Sequence, residues 1–275
     1  VPRKAHCMDE FGRFKPSGRN RLILFLVAMG LGRGKLKRVF SRNWQAATPQ
    51  AAVDIDYHGL RLRLRPVGNT IESKILFSSR LREAEELAEL LQRLADGGSF
   101  VDIGANVGYY ALMAARAGAE KVIAAEPNPE LIERFKANVA LNGLEQAIDI
   151  MPVAIGAEDG TAMLNLKDGD TGGSSIVRNL KADGAIEVPV RPLAALLAQQ
   201  GVTAVAAMKI DIEGMEDRAL VPFLKPENRH LFPRLLIMET VNREDWQIDI
   251  LAKLQQNGYV VTSETRGNSI LELRS

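Results

Sequence analysis

The chain has 275 residues, 46% hydrophobic and 25% charged, the balance of an ordinary globular protein with a substantial core, which excludes disorder, collagen and coiled coil. Its single cysteine, Cys7, excludes an intramolecular disulfide framework, and it lacks the Cys/His pairs of a structural zinc site, so a reducing, cytoplasmic setting fits. The net charge of +1 hides a division: residues 1–50 carry eleven Lys and Arg against Asp9 and Glu10, a balance of +9, while the remainder carries −8.

A basic arm on an acidic body reads either as a solvated tail or as a contact for phosphate-bearing lipid or nucleic acid. Within it, Leu22–Leu31 (LILFLVAMGL) is about half of the roughly 20 residues that a bilayer-crossing helix needs. Arg19 and Arg21 precede this run, and Arg33, Lys35, Lys37 and Arg38 follow it. Two readings stay open for residues 19–38: peripheral contact with a membrane interface, or a helix packed on the main domain. The flanks do not suit a signal peptide, which has basic residues on one side only and a small-residue cleavage site.

Asp54–Leu64 alternates as a strand pair would, with Gly59 at the turn. Over Ser79–Leu94 the period changes, and Leu81, Ala84, Leu87, Ala88, Leu91 and Leu94 form one helical face. From Ser99, β-branched runs alternate with amphipathic stretches: FVDIG, VGYYALMAARAG, KVIAAEP, PELIERFKANVALNG and IDIMPVAIG. Such alternation predicts βαβ units and a parallel sheet. Asp159–Lys167 and Ile186–Val190 read as two strands joined through the polar loop Asp168–Ser175. The alternation resumes with PLAALLAQQG, AVAAMKIDIEG, MEDRALVPFL, PRLLIMET and DWQIDILAKLQQNG. The last two runs, YVVTSE and SILELR, are too close for a crossover helix and predict an antiparallel hairpin at the sheet edge. Three parts result: a basic extension over 1–50, a strand pair and helix over 51–98, and a core domain over 99–275.

The strongest local signal is FVDIGANVGYY, residues 100–110. A buried strand runs into Asp102, the turn Gly104-Ala105-Asn106 follows, and Gly108 opens the next helix, so backbone can approach a ligand at the strand's carboxyl end. The spacing is G-x-x-x-G rather than G-x-G-x-x-G, which argues against a pyrophosphate loop and makes S-adenosylmethionine the more attractive cofactor. About twenty residues on, the second strand ends in Glu126-Pro127-Asn128, where an acidic tip can accept both hydrogen bonds of a ribose diol. Helix capping is the plain alternative. In Lys209-Ile210-Asp211-Ile212-Glu213, period two puts the three charged residues on one side, an active-site edge. Two carboxylates without a clear third oxygen ligand make a metal the weaker reading, and none is expected.

Together FVDIGANVGYY, AAEPNPELIERFKANVALNG, PVAIGAEDG, the GGSS at 172–175, MKIDIEGMED and LLIMET resemble the FkbM family of S-adenosylmethionine-dependent methyltransferases, over roughly residues 95–265. The resemblance implies a class I, Rossmann-like α/β fold: a mostly parallel seven-stranded sheet ending in an antiparallel hairpin, with helices on both faces. It implies methyl transfer to a hydroxyl of a small-molecule, sugar or glycolipid acceptor. Asp102, Gly104, Ala105, Asn106 and Gly108 would surround the methionine half of the cofactor. Glu126 would hold the ribose with Pro127 and Asn128 beside it, and Ala154 would border the adenine. Asp211 and Glu213 match the acidic pair facing the methyl group, with Asp211 the nearer to the cofactor and Glu213 to the acceptor. Glu239, in IMET, is a third candidate base. His58 is placed to reach over the pocket, and Ser174 and Ser175 belong to a loop that could close on the acceptor. The alternative is a nucleic-acid methyltransferase using the basic arm, which the acidic body disfavours.

Overall fold

The computed structural model describes residues 10–16, 18–32, 34–47, 52–165, 175–177 and 185–274. The chain begins with α1 (Gly18–Leu26), a wide turn over Val27–Leu31 bent at Gly30, and α2 (Gly34–Ala47). One stripe of this hairpin, Ile23, Val27, Phe40 and Trp44, is buried in the main core, where Trp44 meets Phe77 edge-on at 5.9 Å. The strand pair β1 (Val53–Tyr57) and β2 (Leu60–Leu64) is antiparallel. His58 and Gly59, at φ 47° and 87°, form the left-handed pair that a two-residue hairpin turn requires.

Next come α3 (Thr70–Leu76) and α4 (Ala84–Leu94). The helix expected over Ser79–Leu94 starts only at Ala84, because Glu83 takes a left-handed φ of 51° and breaks the run. The core domain then follows as β3 (Ser99–Ile103), α5 (Tyr109–Arg116), β4 (Lys121–Ala125), α6 (Pro129–Asn142) and β5 (Ile148–Met151). A second, four-stranded sheet is built from β6 (Ala154–Gly156), β7 (Gly160–Asn165), β8 (Ser175–Val177) and β9 (Ala185–Pro192), in the order β6-β9-β7-β8. The run IDIMPVAIG is therefore two strands in two sheets, divided at Pro152, which cannot donate to a ladder. After α7 (Leu193–Gln199) come β10 (Ala207–Ile210), α8 (Glu216–Leu220), β11 (Leu235–Glu239), α9 (Ile250–Gln256), β12 (Tyr259–Glu264) and β13 (Asn268–Leu273).

The main sheet has seven strands in the order β12-β13-β11-β10-β3-β4-β5, parallel from β11 to β5, with the β12–β13 hairpin antiparallel at the edge. Its strands are apolar on both faces, as a sheet covered on both sides must be. Phe100, Val122, Ala207 and Ile237 face one core with α4, α5 and the N-terminal hairpin, while Val101, Ile123, Met208 and Leu236 face the other with α7, α8 and α9. Succession runs outward from β3 to β5 and then returns to β10 on the other side of β3. That reversal opens a crevice at the carboxyl ends of β3 and β10, where sheets of this kind bind ligands.

The strand pair is fixed to the body by side chains that replace missing strand partners. The β2 backbone N–H groups of Arg61 and Arg63 donate to Asn142 and Asn138 of α6, at 3.0 and 2.8 Å. Asp54 accepts from Arg63 at 2.8 Å and from the Gly12 N–H at 2.8 Å, which ties residues 10–16 to β1.

Candidate active site

The turn after β3 is built on glycines that cannot carry side chains. A Cβ at Gly104, φ 78°, would stand 1.9 Å from the Asp211 carbonyl oxygen, and one at Gly108, φ 85°, would stand 2.0 Å from the Phe135 ring. Gly104 therefore permits the close approach of the β3 and β10 ends, and Gly108 permits α6 to pack beneath the turn. Asn106 holds a left-handed φ of 54° and is buried. Its side chain accepts from Asn69 Nδ2 at 3.1 Å and from the Val107 N–H at 2.9 Å.

Glu126 stands at the end of β4, nearly sealed from solvent at 5% exposure. Its two carboxylate oxygens accept backbone N–H bonds from Asn106 and Asn128, each at 2.8 Å. The side chain is thus pinned between the two ligand-facing turns, with lone pairs remaining for further donors. Burial pushes its pKa up to about 7, against those two hydrogen bonds. Asp102 accepts from the Ala111 N–H at 3.1 Å, and burial likewise pushes it up to about 7, against the pull of Lys209.

Past Ile210 the chain leaves the sheet, so period two no longer governs the acidic edge. Glu213 adopts a left-handed φ of 54° and Gly214 one of 87°. Buried Glu216 fixes this turn by accepting from the Ile212 N–H at 3.0 Å and from Trp246 Nε1 at 2.8 Å. Lys209, 3% exposed, pairs with Asp211 at 3.2 Å and lies 5.6 Å from the Tyr110 ring centre. Burial opposes the charge on Asp211, but the charge and hydrogen bond of Lys209, together with a hydrogen bond from Glu239 and the charge of Arg82, hold the carboxyl below its usual value. Glu239 is pushed the other way, to about 8, by burial and by the charges of Asp211 and Glu213. Asn242 bridges the group, donating to Glu213 at 3.1 Å and to Glu239 at 3.4 Å.

Three adjoining cavities meet here. The first, with about 700 Å³ of atom-free space including its open mouth, is lined by Gly104, Asn106, Glu126, Pro127, Ala154, Asp211 and Glu213, with Leu131, Val153, Ile155 and Leu164 forming an apolar slot. That combination of an acidic anchor, a glycine turn and an apolar slot fits an adenosine-bearing cofactor. The second is lined by Asp102, Ala105, Tyr110, Lys209, Arg82 and Glu83. The third is a wide cleft between Lys74, Arg80, Arg82, Glu83, Glu239, Glu264 and Arg266. Ile71 of α3 lines the first two, and Asp211 lines all three.

Most of the residues read from the sequence therefore converge, but not all. Gly108 and Asn128 are not in the walls of the three cavities. Asn128 caps α6 by accepting from the Glu130 N–H at 3.0 Å. His58 is exposed on the β1–β2 turn and faces a separate groove shared with Leu24 and Val27, so the expected reach over the pocket is not seen. Glu213 lines the first cavity and not the cleft, whereas Asp211 opens onto both. Ser174 lies outside the described residues, and Ser175 is described only as the first residue of β8. Sequence reasoning missed α3 with Ile71 and Asn69, although Asn69 caps that helix and Asn-x-x-Glu (Asn69 to Glu72) was a readable N-terminal signal. It also missed Arg82 and Glu83, which line the second cavity and the cleft just ahead of α4.

The family profile of the methyltransferase FkbM domain matches residues 102–261. No curated protein sequence matches the chain. Among solved structures it is similar to the methyltransferase FkbM of Methylobacillus flagellatus KT, at 16% identity and a TM-score of 0.45, covering 93% of this chain and 59% of that one. The chain thus spans less than two thirds of that protein's length. It is also similar to the ribosomal protein L11 methylase of Lactobacillus delbrueckii subsp. bulgaricus (15% identity, TM-score 0.41, covering 70% and 78%). A third similar structure is M. capricolum TrmK in complex with S-adenosyl-homocysteine (11% identity, TM-score 0.42, covering 70% and 67%). The glycine turn, the acidic strand tip and the KIDIEG edge all fall inside the matched region, which is more than half of the sequence, and the chain belongs to the FkbM family of S-adenosylmethionine-dependent methyltransferases.

Proposed function

We propose that this methyltransferase acts on a hydroxyl oxygen of a small-molecule, sugar or glycolipid acceptor, and that Asp211 receives the hydroxyl proton. The observation that carries the reading is the position of Asp211, shared by the first cavity, the second and the cleft. In this reading Glu126 receives the ribose hydroxyls and the apolar slot receives the adenine. Asp102, Ala105 and Asn106 enclose the methionine end, and the acceptor lies in the cleft. Bound S-adenosylmethionine supplies a methyl group already activated on a sulfonium.

The protein's own part is to align an oxygen, exclude water and take one proton as the new bond forms. Asp211 stays ionised beside Lys209, while Glu239 keeps its proton up to about pH 8 and can donate it in a hydrogen bond to Asp211. A pair divided in this way presents one ready base and one stored acid. With Glu85 and Glu86 also in its wall, the cleft has six carboxylates against four bases, which suits a hydroxylated acceptor better than a polyphosphate backbone. The test is transfer of labelled methyl to panels of glycans, glycolipids and secondary metabolites, with RNA as a rival substrate. Product NMR should show an O–CH3 resonance; label on a base nitrogen or carbon would reject the reading.

Cofactor affinity should depend on pH. Asp102 and Glu126 are both raised to about 7 in the free protein, and a cationic ligand favours their charged forms. Binding should therefore release protons, and affinity should be full above that value and decline below it. For one linked proton the dissociation constant should rise about tenfold between about pH 7.5 and about pH 6. Calorimetry in buffers of different ionisation enthalpy reads the proton release directly, and a flat profile would contradict the assignment.

A further inference from the structure

The α1–α2 hairpin has an outer apolar stripe besides the one buried in the body. Leu22, Phe25 and Met29, at i, i+3 and i+7, are 56%, 59% and 68% exposed, and on α2 Leu36 and Val39 are 46% and 49% exposed. Between and beside them stand exposed Arg19, Arg21, Lys35, Arg38 and Arg42. Residues 18–47 hold seven Lys and Arg and no Asp or Glu. The opposite stripe is anchored by Ile23, Val27, Phe40 and Trp44, so the exposed face is held on a fixed support.

We propose that this face seats the enzyme on an anionic lipid surface. Large apolar side chains ringed by cations, on helices lying flat against a body, are what partition into the headgroup boundary of a negatively charged bilayer. No helix among the described residues is long and apolar enough to cross a membrane, so the contact is peripheral. A second copy is a poor occupant, because joining two such faces sets cation against cation with no carboxylate to relieve them. Nucleic acid would use the cations and leave Phe25 and Met29 without a role. The hairpin lies near the cleft: half-buried Lys37 of α2 is affected first by burial and then by the charges of Lys74 and Arg82, which line it. A lipid-borne acceptor would then enter from the membrane side, a consequence that rests on the proposed function, whereas the docking itself does not.

The test is flotation of the full chain with vesicles of phosphatidylcholine alone or with about one third phosphatidylglycerol, at low and high salt. The protein should float with the anionic vesicles at low salt. Phe25→Ser with Met29→Ser, and separately Arg21→Glu with Lys35→Glu, should each weaken partitioning on the order of tenfold or more. All four side chains are exposed, so thermal stability and S-adenosylmethionine affinity, measured on the same samples, should not change. Those two controls separate failure of this inference from misfolding and from failure of the site assignment. Absence of flotation, equal flotation with neutral vesicles, preferential retention by RNA, or self-association abolished by the same substitutions would each overturn it.

Discussion

Asp211→Asn is expected to lower kcat by about 10²–10⁴-fold, the usual consequence of losing a general base, with cofactor affinity changed only a few-fold. The amide keeps the shape of the side chain in all three cavities but cannot receive a proton. It also leaves the buried Lys209 short of its nearest counter-charge. Glu83 and Asp102 remain beside Lys209, and Glu239 gives up its proton more readily once the Asp211 charge is gone, which limits the loss of stability. A thermal melt alongside the kinetics keeps the two effects apart. Glu239→Gln should be milder in rate and should alter the alkaline limb of the pH profile, since the group displaced near pH 8 would be gone. A normal rate for Asp211→Asn with an identified acceptor would move the base elsewhere, with Glu239 next.

Glu126→Ala is expected to raise the dissociation constant for S-adenosylmethionine by about 10²-fold or more, because two charge-assisted hydrogen bonds of roughly 1.5–3 kcal/mol each are removed. The same change frees the N–H groups of Asn106 and Asn128, so both turns lose the carboxylate that holds them. Glu126→Gln separates the contributions, since its carbonyl can still accept one bond. The amide should fall between wild type and alanine. Calorimetry that finds all three proteins alike would remove Glu126 from the cofactor site.

The order of the core was legible because its signals are local. Each strand of the parallel sheet is a short apolar run closed by Gly, Pro or a charged residue, and the hairpin declares itself by the short gap between YVVTSE and SILELR. Of the second sheet, β7 and β9 were legible as two strands, but its separateness was not, since the pairing of β6 with β9 joins residues more than thirty positions apart and leaves no periodic trace. Nor was the sharing of Asp211 between the first cavity and the cleft, with Glu213 confined to the first. Strand periodicity ends at Ile210, three residues before Glu213, and the turn that redirects Glu213 depends on Glu216 and on Trp246, thirty residues beyond Glu216. His58 shows the same limit. A turn residue ahead of the core could have faced the cleft, and its position was decided by Asn138 and Asn142 fastening β2 to α6.

The most direct measurement is a crystal structure of the complex with S-adenosyl-homocysteine. It should show the ribose hydroxyls within hydrogen-bond reach of both Glu126 oxygens, the adenine between Leu131 and Ile155, and the sulfur turned toward Asp211 and the cleft. A cofactor lying outside the crevice between β3 and β10, or a sulfur turned away from Asp211, would contradict the account.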